Sequence, residues 1–269
     1  MDKPADGTVG KALTLLDEVA GYGRPVRFAE ILAGADLPKA TLYRLLQTLV
    51  SQRMLAYDEA DHTYALGSRL IRLAHAAWQQ TTLAPLARAH LDRLSEAIGE
   101  TVHLAKLDNG QVLYIDKRNA RRPIPMFSDA GKIGPAYCTG VGKAMLAHLD
   151  APALEKALAQ QSWYPHTPAT HVSAGTLRRE LAGIRESGVA FDREEHEPTI
   201  ICVAVPILDE AGRPLGALSV TSSTLRHSLA DLAALAPSLA ETAAAIAREA
   251  AAFTFPGASR APMHGGTNA

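Results

Sequence analysis

Cysteine is almost missing from this chain: Cys138 and Cys202 are the only two among 269 residues. Two cysteines do not make a disulfide framework, and the default setting is a reducing cytoplasm. No apolar run approaches the ~20 residues of a membrane-spanning helix, so no membrane partner is expected. The first eight residues lack the apolar core of a signal peptide. An excess of charge of one sign is also absent, with a formal net charge of −1. Residues 1–80 are balanced as well, nine Lys and Arg against nine Asp and Glu. Any basic footprint for nucleic acid must therefore come from arrangement rather than excess.

The most informative absence is local. Residues 37–53 contain no acid, and acids would repel DNA phosphates. Leu42, Leu45, Leu46 and Leu49 recur at i, i+3, i+4 and i+7, one face of an amphipathic helix. Pro38 suits a first helical position, where its missing N–H has no partner to lose. The opposite face carries Lys39, Ala40, Thr41, Tyr43, Arg44 and Gln47, which can donate to phosphates or read base edges. Phe28, Ile31 and Leu32 predict a short helix just upstream, over about 27–33, and residues 34–36 form a tight break. Downstream, residues 54–58 and 62–66 read as two short strands around an acidic tip, Glu59-Ala60-Asp61. Helix, turn, polar-faced helix and hairpin, in that order, spell a winged helix-turn-helix. An isolated amphipathic surface helix is the commoner object; the company of the other elements favours DNA binding.

At 269 residues, 47% hydrophobic and 20% charged, the chain is an ordinary globular sequence long enough for two domains. A first helix over 11–20 turns Leu13, Leu16 and Val19 inward. Helices follow over 69–80, with Leu70, Leu73, Ala74 and Ala77 at helical spacing, and over 83–98, after Thr81 or Thr82 as cap and ending at Gly99. The join near 79–82 is the expected domain boundary: residues 1–79 in one part, 80–254 in the other, 255–269 as a disordered tail. Beyond Glu100 the period changes to alternation. Residues 101–107 and 111–116 make a hairpin about Asp108-Asn109-Gly110, and 123–127 are a further candidate strand. A glycine-containing turn at 137–143 opens a helix. Helices near 154–160 and 174–187 precede strands over 200–208 and 215–221, and an Ala-rich helix spans 228–252. No internal repeat is visible. The fold class is α+β: a winged helix-turn-helix, then a mainly antiparallel sheet flanked by helices that encloses a small pocket.

Candidate chemistry is sparse. Gly140-Val-Gly-Lys143 fails the phosphate-loop pattern, because Tyr137 stands where glycine is required and Ala144 where Ser or Thr is required. Backbone N–H groups at that helix start still suit an anion such as a carboxylate, although glycines there also simply permit a tight turn. Glu194, Glu195, His196 and Glu197, with His166 and His171, make no recognised metal spacing and read as solvated charges and loop residues. Cys202, in a Val/Ile-rich strand, reads as a small core hydrophobe. Ser219 and Thr221 share one strand face, solvent-facing or pocket-lining. No acid/base pair, nucleophile–base set or cofactor motif is recognisable, so neither enzymatic activity nor a cofactor or metal is expected.

Five segments in order resemble the IclR family of bacterial transcriptional regulators: Gly10-Lys-Ala-Leu13, residues 37–49, Cys138-Thr-Gly-Val-Gly-Lys-Ala144, Asp192-Arg-Glu-Glu-His-Glu197 and Cys202-Val-Ala-Val-Pro206. The resemblance covers nearly the whole chain. It implies a linker helix, a C-terminal effector domain similar to GAF domains, homodimers or tetramers on palindromic double-stranded operator DNA, and small organic acids or aromatic metabolites as effectors. Carried over by position, DNA contacts fall on Arg27, Pro38, Lys39, Ala40, Thr41, Tyr43, Arg44 and Gln47. The effector pocket falls on Met126, Gly140, Val141, Asp192, Ile200, Cys202, Ser219 and Thr221. Three positions depart from the family. Thr199 and Ile201 stand where Gly and Arg usually precede the cysteine, and Asp36 replaces a frequent glycine in the helix-turn-helix turn, where Asp tolerates a left-handed backbone. The leading expectation is a ligand-responsive regulator sensing a hydroxy-, keto- or sugar acid. The alternatives are a small-molecule enzyme whose N-terminal part serves oligomerisation, and a DNA-binding protein whose second domain only oligomerises.

Overall fold

A computed structural model describes residues 7–80 and 83–253. The chain divides into two compact units, Met1–Gln80 and Thr81–Ala269. The expected caps Thr81 and Thr82 and the expected tail 255–269 lie outside the described residues.

The first unit runs α1 (Thr8–Gly21), β1 (Val26–Arg27), α2 (Phe28–Gly34), α3 (Lys39–Ser51), β2 (Leu55–Asp58), β3 (Thr63–Leu66) and α4 (Ser68–Gln80). Its core forms where the leucine stripe of α3 meets α1 and α2. Leu42, Leu45, Leu46 and Leu49 are all buried, packed with Leu15, Leu16, Val19, Ile31 and Leu55. β2 and β3 pair antiparallel from Leu55↔Leu66 to Asp58↔Thr63. The two-residue β1, unforeseen because it is too short to show a period, adds to the other side of β3. Three details differ from expectation. Leu13 is 54% exposed and Leu15 takes the inward place, because the stripe is set by the 15-16-19 positions. Pro38 is the N-cap of α3, one place before its first helical residue. Asp36 has no positive φ, so the turn before α3 makes no demand for glycine there.

The second unit runs α5 (Leu83–Ile98), β4 (Thr101–Asp108), β5 (Gln111–Arg118), β6 (Ile133–Gly134), α6 (Gly140–Leu146), α7 (Ala151–Ala159), α8 (Ala174–Ser187), β7 (Ala190–Arg193), β8 (Ile200–Leu208), β9 (Pro214–Ser223), α9 (Leu229–Ala233) and α10 (Ala236–Phe253). Six strands form one antiparallel sheet in the order β6-β5-β4-β9-β8-β7. The β4–β5 turn has both central residues left-handed, Asn109 at φ 47° and Gly110 at φ 76°, the geometry that matches strand twist in a two-residue hairpin. Packing of α6 on the sheet buries Tyr137, Cys138, Val141, Met145 and Leu146, with Leu177, Leu181 and Ile184 of α8 in the same core. Helices α5 and α10 pack on one another, and α10 lies on β8 and β9.

Here too the structure corrects particular expectations. Residues 123–127 form no strand, since Pro123 and Pro125 lack the N–H that a ladder needs; the short edge strand is β6 instead. The terminal helix is two helices, with Pro237 in the first turn of α10, where a proline cannot continue a preceding helix. Contrary to the absence of long apolar runs, Leu229–Ala252 has the length and hydropathy of a membrane span, mean hydropathy 1.3. It is divided between α9 and α10, and Leu232, Leu239, Ala243 and Ile246 are spent on packing within the unit.

Candidate functional site

In the first unit, α3 presents Lys39, Ala40, Tyr43, Arg44 and Gln47 as exposed residues, with Thr41 half-buried. The N-cap Pro38 and Arg27, at the start of α2, are exposed as well. Arg27 donates its backbone N–H to Glu30 Oε2 at 3.0 Å, which anchors the first turn of α2 and leaves its guanidinium outside. Tyr43 stands edge-on to Phe28, ring centroids 6.2 Å apart, and so ties the exposed face of α3 to α2. Gly67 closes the foot of the hairpin. A Cβ there would run into the Arg53 carbonyl, so only glycine lets β3 turn into α4 at that point.

In the second unit, β-sheet register assembles a polar cavity. Asp192, Cys202, Thr221 and Thr101 lie on one rung across β7, β8, β9 and β4; two residues along, Ala190, Ala204, Ser219 and His103 form the next rung on the same face. The start of α6 covers these rungs. A Cβ on Gly140 would collide with the Cys202 sulfur and crowd the Ala204 methyl, so glycine is required for this close approach. The resulting cavity, about 30 Å³, is lined by Gly140, Val141, Asp192, Ile200, Cys202, Ser219 and Thr221, seven of the eight residues carried over from the family. Met126 is not in the lining; Ser128, two residues on, takes that place. Sequence reading missed His103, Tyr114, Ser128, Thr139, His196 and Glu197, which also line it. The one available signal was alternation: His103 shares a strand face with Thr101 and Ala105.

The cavity's electrostatics follow from burial. Asp192 is 5% exposed, and desolvation, then the charge of Glu195, pushes its carboxyl up to about 7, against the pull of backbone N–H donors from Glu195 and His196. Burial pushes His103 down to about 3 and, aided by His166, His196 down to about 4, so both imidazoles are neutral. It also raises the Cys202 thiol to about 12, which leaves it an inert packing group. Among the described residues, no Lys or Arg lines the cavity. Ile201, where the family usually has Arg, is buried on the opposite face of β8. Thr199, where the family usually has Gly, is left-handed at φ 65°, the conformation that glycine adopts without strain.

Beneath the cavity lies a partly buried ion network that corrects the reading of Glu195 and His171 as solvated. Lys143 is fully buried, and its ammonium binds Glu180 at 2.9 Å and also Glu195. Arg193 reaches Glu180 at 2.9 Å, and His171 Nε2 lies 2.5 Å from Glu180 Oε2. The donor atoms of His171, Glu180 and Glu195 lie within 4.8 Å of one another, as in a metal site. Two cations already balance the two carboxylates, so the charge that would draw a metal is spent. Glu195 in turn donates its backbone N–H to Asp192 Oδ1 at 2.7 Å, which locks that carboxyl in place.

Comparison with known proteins bears on both units. The helix-turn-helix domain model of the IclR family matches residues 8–59, and the model of the bacterial transcriptional regulator IclR C-terminal domain matches residues 75–248. The chain is 31% identical to the HTH-type transcriptional regulator XynR of Escherichia coli (strain K12), over 91% of this chain and 97% of that protein. It is 32% identical to the transcriptional repressor IclR of the same organism, over 83% of each. The crystal structure of the Thermotoga maritima IclR superposes with a TM-score of 0.76 at 30% identity, covering 90% of this chain and 98% of that one.

Proposed function

The chain belongs to the IclR family of bacterial transcriptional regulators, with a DNA-binding helix-turn-helix domain and a C-terminal effector domain, and from that premise we propose that it is a cytoplasmic regulator that binds palindromic operator DNA as a homodimer or tetramer and releases or grips it in response to a small hydroxy-, keto- or sugar acid. Residues 1–79 are the DNA-binding part and 80–254 the effector-binding and oligomerising part. Arg27, Pro38, Lys39, Ala40, Thr41, Tyr43, Arg44 and Gln47 make the DNA contacts, with α3 in the major groove.

The observation that carries the effector reading is the polar lining of the cavity, whose present volume of about 30 Å³ is on the scale of a water and has to widen to admit an acid. Two rungs of the sheet bring Asp192, Thr221 and Ser219 under the Gly140-Val141 helix start. Backbone N–H groups there suit a carboxylate, Ser219 and Thr221 suit hydroxyl or keto oxygens, and Ile200 and Cys202 supply the apolar floor. Asp192 accepts from a ligand hydroxyl and disfavours a second carboxylate. The effector acts through its different affinities for the DNA-competent and incompetent arrangements, since equal affinity would shift nothing.

A mobility-shift assay with the protein's own upstream DNA, with and without a panel of organic acids, tests the reading. One acid should change the operator affinity of the parent and lose that effect in Ser219→Ala and Asp192→Asn. An acid that acts equally on all three proteins would move the site elsewhere.

A further inference from the structure

Three hydroxyl groups of the cavity converge on a side chain to which the organic-acid reading gives no part. His103, 2% exposed, lies on β4 in register with Ser219 of β9. Its Nε2 is 2.8 Å from Ser128 Oγ, and its Nδ1 is 3.4 Å from Ser219 Oγ and 3.3 Å from Thr221 Oγ1. Ser128 is itself held, its carbonyl accepting from the Lys117 ammonium at 2.7 Å. The Tyr114 ring packs beside the imidazole, centroids 5.3 Å apart. The charges that act on the ring, Lys117 and Asp129, oppose one another, and burial outweighs both. A neutral imidazole carries one N–H and one lone pair, and which nitrogen holds the proton is set by its partners.

We infer that His103 is the positioning residue that decides which oxygen chemistry the pocket accepts, its tautomer setting the direction in which the Ser219 and Thr221 hydroxyls point their protons. The inference rests on the reading of this cavity as an organic-acid site. With the proton on Nδ1, the ring donates to Ser219 or Thr221 and Nε2 accepts the Ser128 proton. The Ser219 and Thr221 protons are then free for a keto or carboxylate oxygen. With the proton on Nε2, the ring donates to Ser128, and Nδ1 accepts one of the two strand hydroxyls. That hydroxyl then offers lone pairs to a hydroxyl of the ligand. Both arrangements hold the same number of protons, so the exchange adds no charge to a buried cavity that already contains Asp192. The ligand class is accordingly a 2-hydroxy acid together with its 2-oxo counterpart, both taken by the same pair of hydroxyls.

The full-length protein labelled with ¹⁵N-histidine reports the tautomer directly through the ring nitrogen shifts. Lactate with pyruvate, and larger 2-hydroxy/2-oxo pairs, are the probes. The expected result is a neutral His103 from about pH 5.5 to 8, opposite tautomers dominating with the two members of a pair, and dissociation constants for the two within about tenfold of each other. His103→Phe should weaken both members by about tenfold or more, because Ser219 and Thr221 lose their fixed partner. An imidazolium titrating in that range, or one tautomer with both members of a pair, overturns the inference, as does a folded His103→Phe protein that binds like the parent. The tautomer measurement is made on the parent, so it stands even where the variant fails to fold. If no acid in the panel binds, the organic-acid reading has itself failed and takes the inference with it; acids that bind without moving the tautomer defeat the inference alone.

Discussion

Thr199 and Asp192 each carry a local cost that a substitution can relieve. Thr199 holds a left-handed backbone at φ 65°, pinned by Glu194 Oε1 on its N–H at 2.7 Å and by the Thr224 N–H on its carbonyl at 2.9 Å. A β-branched residue there is strained by about 1–3 kcal/mol. Thr199→Gly should therefore raise unfolding free energy by roughly 1 kcal/mol after the extra backbone entropy of glycine is subtracted, and urea denaturation showing a loss would refute the strain. Asp192 is held for a different reason. Its carboxyl protonates at about 7 in the folded chain against an ordinary 3.8, so between those values the folded state holds more protons than the unfolded one. Stability contributed below pH 4 is thus lost as pH rises through that window, on the order of 1.4 kcal/mol for each tenfold difference in proton affinity between the folded and unfolded carboxyl. Asp192→Asn removes the titration. Its stability relative to the parent should rise from pH 5 to pH 8, and a constant difference across that range would show that Asp192 is not held protonated.

Among the elements, α3 is the easiest to read. Its leucines are spaced for one face, its other face has no acids, and both properties are local. The hairpin β2–β3 and the Asn109-Gly110 turn are legible for the same reason: strand alternation and turn residues sit within a few positions of one another. Local pattern fails where non-local partners decide. Residues 123–127 look extended and apolar, but prolines cannot donate to a neighbour that the sequence does not reveal. Glu195 reads as a solvated charge because its partner Lys143 lies 52 positions away. His103 is invisible as a pocket residue until β9 is laid beside β4. The cavity residues legible in advance come from family resemblance rather than from spacing. For α3 itself, Arg44→Ala should weaken operator binding by about 1–3 kcal/mol, provided that the guanidinium reaches a base edge or a desolvated phosphate. Equal affinities at matched salt would remove Arg44 from the DNA contact.

For the molecule as a whole, a net charge of −1 leaves little general attraction to DNA, and the proposed symmetric oligomer would gather affinity from two or more recognition helices. The proposed pairing would use the first unit, where Val9 and Ile71 are each 74% exposed and Leu13 and Leu73 about half exposed, an unusual amount of bare aliphatic surface for two helices of one small unit. Ile71→Asp should shift sedimentation toward a smaller species and reduce operator affinity together. Tight operator binding by a monomer would contradict the symmetric arrangement.

The rungs that build the cavity run through β9, the last strand among the described residues and a central one in the sheet. His103 meets Ser219 across 116 positions of sequence. A nascent chain emerging from the ribosome therefore carries the β4–β5 and β7–β8 hairpins before the strand that joins them in the sheet. Until residues 214–223 arrive there is neither a continuous sheet nor a binding cavity. Contacts of such high separation are slow to form, since the whole intervening loop must be closed first. The DNA-reading unit, complete within its first 80 residues, meets no such delay. During synthesis the helix-turn-helix unit can thus be folded before the cavity exists, and for that interval no small molecule can act on the chain through this cavity.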